Sequence, residues 1–357
     1  MRRVFELPNN DDLSKEQEKV LRLPLNGVYL ITGAPGTGKS VVGLLRTKSD
    51  EKYIFLAYNK VLLKSCKDQS ELKDRVFTLD FFLRKLYKDN FKEDGFESAF
   101  DEWKPNLDYI IQKASAAKIK ENNLALVIDE AQDKPVKFYE ALYCFGYRNF
   151  CFLADQNQQI TEECSTYSDI IDMFDIDKQN IFELKENYRN SKVIAKFCSY
   201  FHTDSFTQKP ELPKETGFNP NPQIITDPNE LISHIKNELE NYPKHLIGIF
   251  VNSNRVREHI CNRLAQSNIK ASSYQTSDKE VKINFKKGGV VVLNDRSAKG
   301  LEFDVVYIVP FGFKIFDENS IKRRFYVMAS RARKKLFIAL SGKDAQKIKD
   351  MIAEALA

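Results

Sequence analysis

Apolar residues follow two alternating patterns along the chain. Short unbroken runs rich in β-branched and aromatic side chains predict strands at 28–32, 53–57, 124–128 and 150–153, and again at 245–251, 290–293, 305–309 and 336–340. Between them, stretches such as 40–47, 61–67, 137–144 and 255–265 carry apolar residues at helical spacing. Strand followed by helix, repeated, predicts an α/β fold of mainly parallel sheets flanked by helices. A chain of 357 residues exceeds the usual size of one core, and a second alternating set opens at Ile181. Two domains are therefore expected, 1–180 and 181–357. Pro210, Pro213, Pro220 and Pro222 mark the stretch 208–221 as a surface excursion within the second.

Composition adds limits rather than a function. Hydrophobic residues make up 42% and charged residues 29%, and no run approaches the roughly 20 apolar residues that cross a bilayer. The N-terminus carries Arg2 and Arg3 but reaches Asp11 and Asp12 before any apolar run, so it lacks a signal-peptide core and a cytoplasmic protein is expected. Six cysteines without C-x-x-C pairs fit buried thiols in a reducing compartment. A net charge of +5 and a pI of 8.6 permit contact with a polyanion without demanding it.

Two motifs carry chemistry. Gly33-Ala34-Pro35-Gly36-Thr37-Gly38-Lys39-Ser40 follows an apolar run and precedes a helical stretch, the context that a phosphate-binding P-loop requires. Its glycines let backbone N–H groups converge on phosphate oxygens, and the helix that follows adds its positive end. Lys39 is expected on the β- and γ-phosphates of ATP and Ser40 on Mg2+. The second motif is Leu126-Val127-Ile128-Asp129-Glu130-Ala131-Gln132-Asp133, an apolar strand ending in adjacent carboxylates. Beside a P-loop, Asp129 suits the magnesium shell and Glu130 the attacking water, the pairing of an ATP hydrolase.

Together these motifs resemble superfamily I helicases of the UvrD/Rep type, and further motifs follow in the family's order between Leu13 and Leu340. The resemblance implies two RecA-like P-loop NTPase domains with the ATP site in the cleft between them. It also implies roles for single residues. Gln17, in a stretch that looks like the Q motif, would meet the adenine edge, and Gln158, in 152–160, would sense the γ-phosphate as in motif III. Glu186-Asn187-Tyr188-Arg189 looks like motif IV, with Tyr188 stacking on adenine and Arg189 reaching the γ-phosphate. Gly300 and Glu302 of a motif V-like stretch would lie near the triphosphate and ribose, and Arg331 of a motif VI-like stretch would be a second arginine finger.

The strand-facing positions depart from the family. Ile160 is followed by Thr161-Glu162-Glu163-Cys164 where the family carries an aromatic–Arg pair that stacks on a base. Asp80 stands where motif Ib has a histidine, and Asn294-Asp295-Arg296 replaces Thr-Leu-His in motif V. Asp80 and Asp295 would repel a phosphate unless other residues compensate. Tyr58, Asn59, Lys60, Thr78, Phe81 and Arg296 are the remaining candidates for nucleic-acid contact. The large accessory insertions are reduced to a small helical insertion at about 83–123, around Trp103, and a charged loop Ser277-Asp278-Lys279-Glu280.

The resulting expectation is an ATP-dependent helicase or translocase on single-stranded nucleic acid, DNA foremost, with 3′ to 5′ polarity implied by the resemblance alone. The alternative is a helicase-like ATPase subunit that senses nucleic acid or controls a partner effector, such as a nuclease in DNA repair or phage defence. A small-molecule kinase would not need the second alternating domain.

Overall fold

The structure, a computed structural model, describes residues 7–357 except 71, 73, 102–103, 160–163, 204–208, 210, 214–219, 276–277, 279, 314–316, 343 and 345. Trp103, Ile160 and the three residues after it, Ser277, Lys279 and most of the proline-bearing stretch therefore lie outside the described residues.

The first set of elements runs α1 (Lys15–Leu21), β1 (Val28–Gly33), α2 (Lys39–Ser49), β2 (Tyr53–Ala57), α3 (Lys60–Ser70), β3 (Val76–Thr78), α4 (Leu79–Phe91), α5 (Phe96–Ala99), α6 (Leu107–Ala117), β4 (Ala125–Ile128), α7 (Val136–Cys144), β5 (Asn149–Ala154), α8 (Tyr167–Phe174) and β6 (Ile181–Leu184). The second runs α9 (Lys192–Tyr200), β7 (Gln223–Ile225), α10 (Pro228–Asn241), β8 (Leu246–Val251), α11 (Asn254–Gln266), β9 (Ala271–Ser273), β10 (Gly289–Asn294), α12 (Asp295–Ala298), β11 (Phe303–Ile308), α13 (Glu318–Ala329), β12 (Ala332–Ala339) and α14 (Gln346–Leu356). The strands form two six-stranded sheets, ordered β3-β2-β4-β5-β1-β6 and β7-β12-β11-β8-β10-β9, with every pairing parallel. This is an α/β fold of the RecA-like kind in each sheet.

Contacts divide the chain into two compact units. One holds Leu7–Gly33 and Gly38–Leu184, and the other holds Lys185–Ala357 together with the short stretch Ala34–Thr37. Strand β6, which the apolar pattern groups with the second alternating set, pairs with β1 from Leu30↔Ile181 to Gly33↔Leu184 and so belongs to the first sheet.

Each sheet is buried on both faces, which is why its strands read as unbroken apolar runs. In the first unit Leu30, Leu126, Ile128, Phe150 and Phe152 face one core, with Leu30 opposite Phe152 and Leu126 opposite Phe150. Their neighbours Tyr29, Ile31, Val127, Cys151 and Leu153 face the other, against α2. Helix α2 comes close because residue 43 is glycine: a Cβ there would sit 2.6 Å from Leu153 and 3.0 Å from Val127. In the second unit Ile247, Ile249, Val290, Val292, Val305 and Tyr307 form one core, while Phe250, Val291, Val306 and Ile308 are buried on the opposite face. Burial of each such side chain contributes about 1.5–3 kcal/mol.

Parallel pairing also sets the location of the chemistry. All strand C-termini of a sheet lie along one edge, the edge at which open α/β sheets bind ligands. In the first sheet the residues at or just after the ends of β1, β2, β3, β4 and β5 are the P-loop, Tyr58 to Lys60, Thr78 to Phe81, Asp129-Glu130 and Asp155 to Gln158. Sequence segments far apart are collected there by topology alone.

Candidate nucleotide and nucleic-acid sites

In the P-loop, Gly33, Gly36 and Gly38 all have positive φ, at 149°, 85° and 90°. Gly38 precedes the first residue of α2 in the left-handed conformation, and a Cβ there would lie 2.4 Å from the Gln17 amide nitrogen. Only glycine meets both demands. The Lys39 ammonium donates to the Gly33 carbonyl at 2.5 Å, and the Thr37 hydroxyl donates to the Ala34 carbonyl at 2.8 Å. Pro35 lies within the loop, and Ser40 is the second residue of α2.

Gln17 is 5% exposed rather than a surface residue. Ser14 and Gln17 form a capping box at the start of α1: the Ser14 hydroxyl accepts from the Gln17 N–H at 3.2 Å, and the Gln17 side-chain oxygen accepts from the Ser14 N–H at 3.0 Å. With the oxygen so engaged, the amide nitrogen is the atom beside Gly38. Arg46 of α2 fixes the far end of α1, donating to the carbonyls of Val20 at 2.6 Å and Leu23 at 3.0 Å and to the Tyr53 hydroxyl at 2.6 Å.

Asp129 and Glu130 are both buried. Burial, then the neighbouring Glu130, push the Asp129 carboxyl up to about 7 against the opposing pull of the Ser40 hydroxyl and the Lys39 ammonium. One Asp129 oxygen accepts from the Glu130 N–H at 3.1 Å, while the other is buried without a hydrogen-bond partner. A buried carboxylate oxygen lacking a donor, next to a serine hydroxyl, fits Mg2+. This ion is usually held by one or two carboxylates plus substrate phosphates rather than by an all-protein cage. Among the described residues there is no group of three or more His, Cys, Asp or Glu that could hold a metal ion.

Glu130 sits at φ 54°, ψ 45°, a left-handed conformation that costs a non-glycine residue about 1 kcal/mol. Its side chain meets Gln132, whose amide donates to the Glu130 carboxylate at 2.7 Å. The Gln132 oxygen accepts from the Asp155 N–H at 3.0 Å. Asp155 in turn accepts from the Gln158 amide at 2.7 Å and the Asn157 N–H at 3.1 Å. A buried hydrogen-bonded chain thus runs from Glu130 through Gln132 and Asp155 to Gln158.

Along the same edge, Asn59 caps α3 by accepting from the Leu62 N–H at 2.8 Å, and its amide nitrogen is buried without a partner. Tyr58 is half-buried and Lys60 exposed. The Thr78 hydroxyl caps α4 by accepting from the Phe81 N–H at 3.4 Å. Phe81 is 55% exposed and stacks on Phe77 with ring centroids 6.0 Å apart. Asp80 is ion-paired with Lys134 at 2.5 Å. The carboxylate expected to repel a strand is therefore neutralised by a lysine from the segment after Asp129-Glu130.

In the second unit, Asn190 knits the Asn187-Tyr188-Arg189 segment to the start of β12. Its amide donates to the carbonyls of Ala332 at 2.6 Å and Ser330 at 3.1 Å, and its oxygen accepts from the Asn187 amide at 2.9 Å. Arg189 pairs with Glu302 at 2.8 Å. Burial opposes the Glu302 charge, but Arg189, Arg333 and Arg331 outweigh it and hold the carboxyl below its usual range. Arg331 is buried, donating to the Val327 carbonyl at 2.8 Å and the Ser330 hydroxyl at 3.2 Å. Gly300 has φ 77°, and Tyr188 is 48% exposed with its hydroxyl on Glu186. Glu302 and Arg331 precede β11 and β12, so this cluster lies at the N-terminal edge of the second sheet. Asp295 and Arg296 follow β10 at the opposite edge, where Asp295 pairs with Arg324 at 2.5 Å and Arg296 is exposed.

Residues 26–277 match the family described as Schlafen group 3, DNA/RNA helicase domain. The chain belongs to this family. Residues 289–339 match the UvrD-like helicase C-terminal domain, in line with the UvrD-type motifs of this segment. No curated protein matches. Among solved structures, the chain is similar to the C-terminal domain of a possible DNA helicase from Lactobacillus plantarum WCFS1, at 18% identity over 47% of this chain and 92% of that one, with a TM-score of 0.34. It is also similar to the PRRSV helicase, at 14% identity over 93% of this chain, with a TM-score of 0.47; the chain spans 55% of that protein.

Within this Schlafen group 3 helicase domain, sequence reasoning missed four contributors. Gln132 lay inside the quoted motif, so a buried amide two residues after a carboxylate was the available signal. Asn190 directly follows the Glu186-Asn187-Tyr188-Arg189 stretch. Lys134 and Arg324 carry no local signal, because their partners Asp80 and Asp295 are 54 and 29 residues away. The cysteines are all free, with Cys66, Cys151 and Cys198 buried. Among the described residues no helix is long and apolar enough to cross a membrane.

Proposed function

We propose that this helicase-family chain hydrolyses ATP with Mg2+ and couples the cycle to binding and movement along single-stranded nucleic acid, DNA foremost. The observation that carries the reading is the hydrogen-bonded chain from Glu130 to Gln158 beside the P-loop lysine. In this reading Glu130 would orient and deprotonate water and Gln158 would respond to the terminal phosphate. Bound Mg2+ would neutralise phosphate charge, with Ser40 and Asp129 as its protein ligands. Lys39 would balance β- and γ-phosphate charge once released from the Gly33 carbonyl, and Gln17 and Tyr188 would take the base. Gly300 and Glu302 are assigned near the ribose and triphosphate. Arg189 and Arg331 are assigned as the cations that meet charge on the transferred phosphoryl group.

For the strand, Thr78, Phe81, Tyr58, Asn59 and Lys60 line one edge, and Arg296 is the candidate in the second unit. Neutralisation of Asp80 and Asp295 by Lys134 and Arg324 supports strand binding at positions whose charge would otherwise oppose it. ATP turnover with and without single-stranded DNA, single-stranded RNA and duplex, across a salt series, tests the proposal. Stimulation by a single strand that falls steeply with salt is the expected result. An ATPase indifferent to every strand would overturn the motor and leave the reading in which ATP controls a partner protein.

A further inference from the structure

Strands β1 and β6 run side by side to Gly33 and Leu184, so the segments that follow them, the P-loop and Lys185 to Asn190, leave the sheet as neighbours. The tip of the loop, Ala34–Thr37, shares its contacts with Lys185–Ala357 rather than with the strand before it and the helix after it. Two groups hold it there. The Tyr188 N–H donates to the Gly36 carbonyl at 2.9 Å. The Asn187 side-chain oxygen fills the space that a Cβ on Gly36 would need, 2.3 Å from where that atom would stand. Glycine at 36 is thus required both by its φ of 85° and by the asparagine beside it.

Asn187 and Asn190 are buried, at 4% and 6% exposure, and are bonded to each other. The Asn187 oxygen accepts from the backbone N–H groups of Arg189 at 3.0 Å and Asn190 at 3.2 Å, and its amide nitrogen donates to the Asn190 oxygen at 2.9 Å. The Asn190 amide nitrogen donates to the carbonyls of Ser330 at 3.1 Å and Ala332 at 2.6 Å, the two that flank Arg331. The Ser191 N–H adds a bond to the Arg333 carbonyl at 3.2 Å. Buried amides bonded at both ends have one orientation, so a shift of the loop tip is passed on to the backbone at 330–333 rather than absorbed. Arg331 takes its direction from that backbone, with its guanidinium on the Val327 carbonyl and the Ser330 hydroxyl.

We propose that Asn187 and Asn190 are positioning residues that tie the tip of the phosphate-binding loop to the backbone on either side of Arg331, so that phosphate seated in the loop and the direction of the Arg331 guanidinium are linked. The inference rests on the reading of the chain as an ATP hydrolase in which Arg331 meets the transferred phosphoryl group. It adds regulation to that site, because occupancy of the loop then bears on the rate of hydrolysis through two asparagine side chains. The Gly36 carbonyl and the Thr37 N–H belong to one peptide plane, so phosphate that draws on the N–H groups of the loop turns the carbonyl that Tyr188 holds.

Isosteric variants test the relay in the full chain. Asn190→Asp keeps the oxygen that Asn187 bonds and removes the donors to Ser330 and Ala332, while Asn187→Asp keeps the oxygen that accepts from the backbone and removes the donor to Asn190. With Mg2+ and ATP, and protein in excess, each should slow single-turnover hydrolysis about tenfold or more while ATP affinity changes less than about threefold. In an Arg331→Gln background the same substitutions should cost less than about twofold, because residues that act through one group are not additive. Equal slowing in both backgrounds, or no slowing in either, would overturn the relay and leave the proposed hydrolysis standing. Hydrogen exchange of the wild-type chain depends on no variant folding: Mg2+ with ATPγS should alter exchange at 327–333 as well as at 36–40, and an effect confined to 36–40 would also overturn the relay. Arg331→Gln hydrolysing ATP at the wild-type rate would overturn the role assigned to Arg331, and a wild-type chain that does not hydrolyse ATP would overturn the proposed function itself; the relay falls with either.

Discussion

Gln132 joins Glu130 to Asp155 through the two ends of one amide, donating to the first at 2.7 Å and accepting from the second at 3.0 Å. The amide is fully buried, so it has one rotamer and no water with which to exchange its bonds. The carboxylate proposed to act on water and the segment bearing Gln158 are therefore set by the same side chain.

Gln132→Leu keeps the volume and removes both bonds. Turnover should fall about 10–100-fold, the usual cost of losing a partner that orients a ligating or catalytic group. Nucleotide affinity should change far less. Steady-state ATPase assays beside equilibrium binding of a fluorescent ATP analogue would show this split, and equal loss of both would mean that Gln132 serves stability alone. Unfolding should be easier by about 1–3 kcal/mol, since the Glu130 and Asp155 groups lose buried partners.

Lys39→Ala should abolish nucleotide capture, whereas Glu130→Gln should bind ATP and fail to turn it over. Glu130→Gln retaining wild-type turnover would remove Glu130 from the role of water-activating group. The test is a single-turnover experiment with enzyme in excess, which separates capture from chemistry.

If Asp129 holds Mg2+ as proposed, metal binding should depend on pH. Its carboxyl is raised to about 7 in the folded chain by burial and by Glu130, well above its ordinary value of 3.8. Stability from the neutral form is complete below the ordinary carboxylate range and is lost as pH rises through about 7. Asp129→Asn should thus raise the thermal midpoint of the nucleotide-free protein most at pH 8, less at pH 5, and change it little at pH 3.5. Mg2+ needs the ionised form, so Mg-nucleotide uptake near pH 6.5 should release a proton. Calorimetric titrations in buffers of differing ionisation heat would detect that release, and a buffer-independent heat would argue against Asp129 as the ligand.

Arg189 and Arg331 should separate in their secondary effects. Replacing either with Ala should slow hydrolysis by 10³-fold or more if each meets transition-state charge. Arg331→Ala should also lower the thermal midpoint, because its buried guanidinium holds the Val327 carbonyl and the Ser330 hydroxyl. Arg189→Ala should cost less stability, since Glu302 is about a quarter exposed and keeps Arg333 and Arg331 as neighbouring cations. The comparison is by differential scanning fluorimetry alongside turnover.

Asp80→Asn should release Lys134 for a phosphate. Single-strand affinity is expected to rise about two- to fivefold at low salt, with a steeper salt slope. The side chain of Asp80 is 47% exposed, so the lost ion pair itself should cost no more than about 1 kcal/mol. Unchanged affinity and slope would place the strand away from this position.

What the sequence determined by itself was local. The runs at 28–32 and 53–57 had to be strands, because continuous β-branched and aromatic residues suit a sheet buried on both faces. The glycine spacing from Gly33 to Gly38 had to be a loop of positive φ angles ahead of a helix. Ser14 and Gln17, three residues apart, meet within one helical turn, so their capping box is local too. Tertiary structure decided everything that depends on strand order. Arg189 meets Glu302 across 113 residues, and Asp80 meets Lys134 across 54. It also set the Asn190 amide between the carbonyls of Ser330 and Ala332. Parallel pairing places all strand C-termini together, but which loops become neighbours follows from the order β3-β2-β4-β5-β1-β6 and β7-β12-β11-β8-β10-β9. That order is chosen by the packing of whole faces, and no short stretch of sequence encodes it.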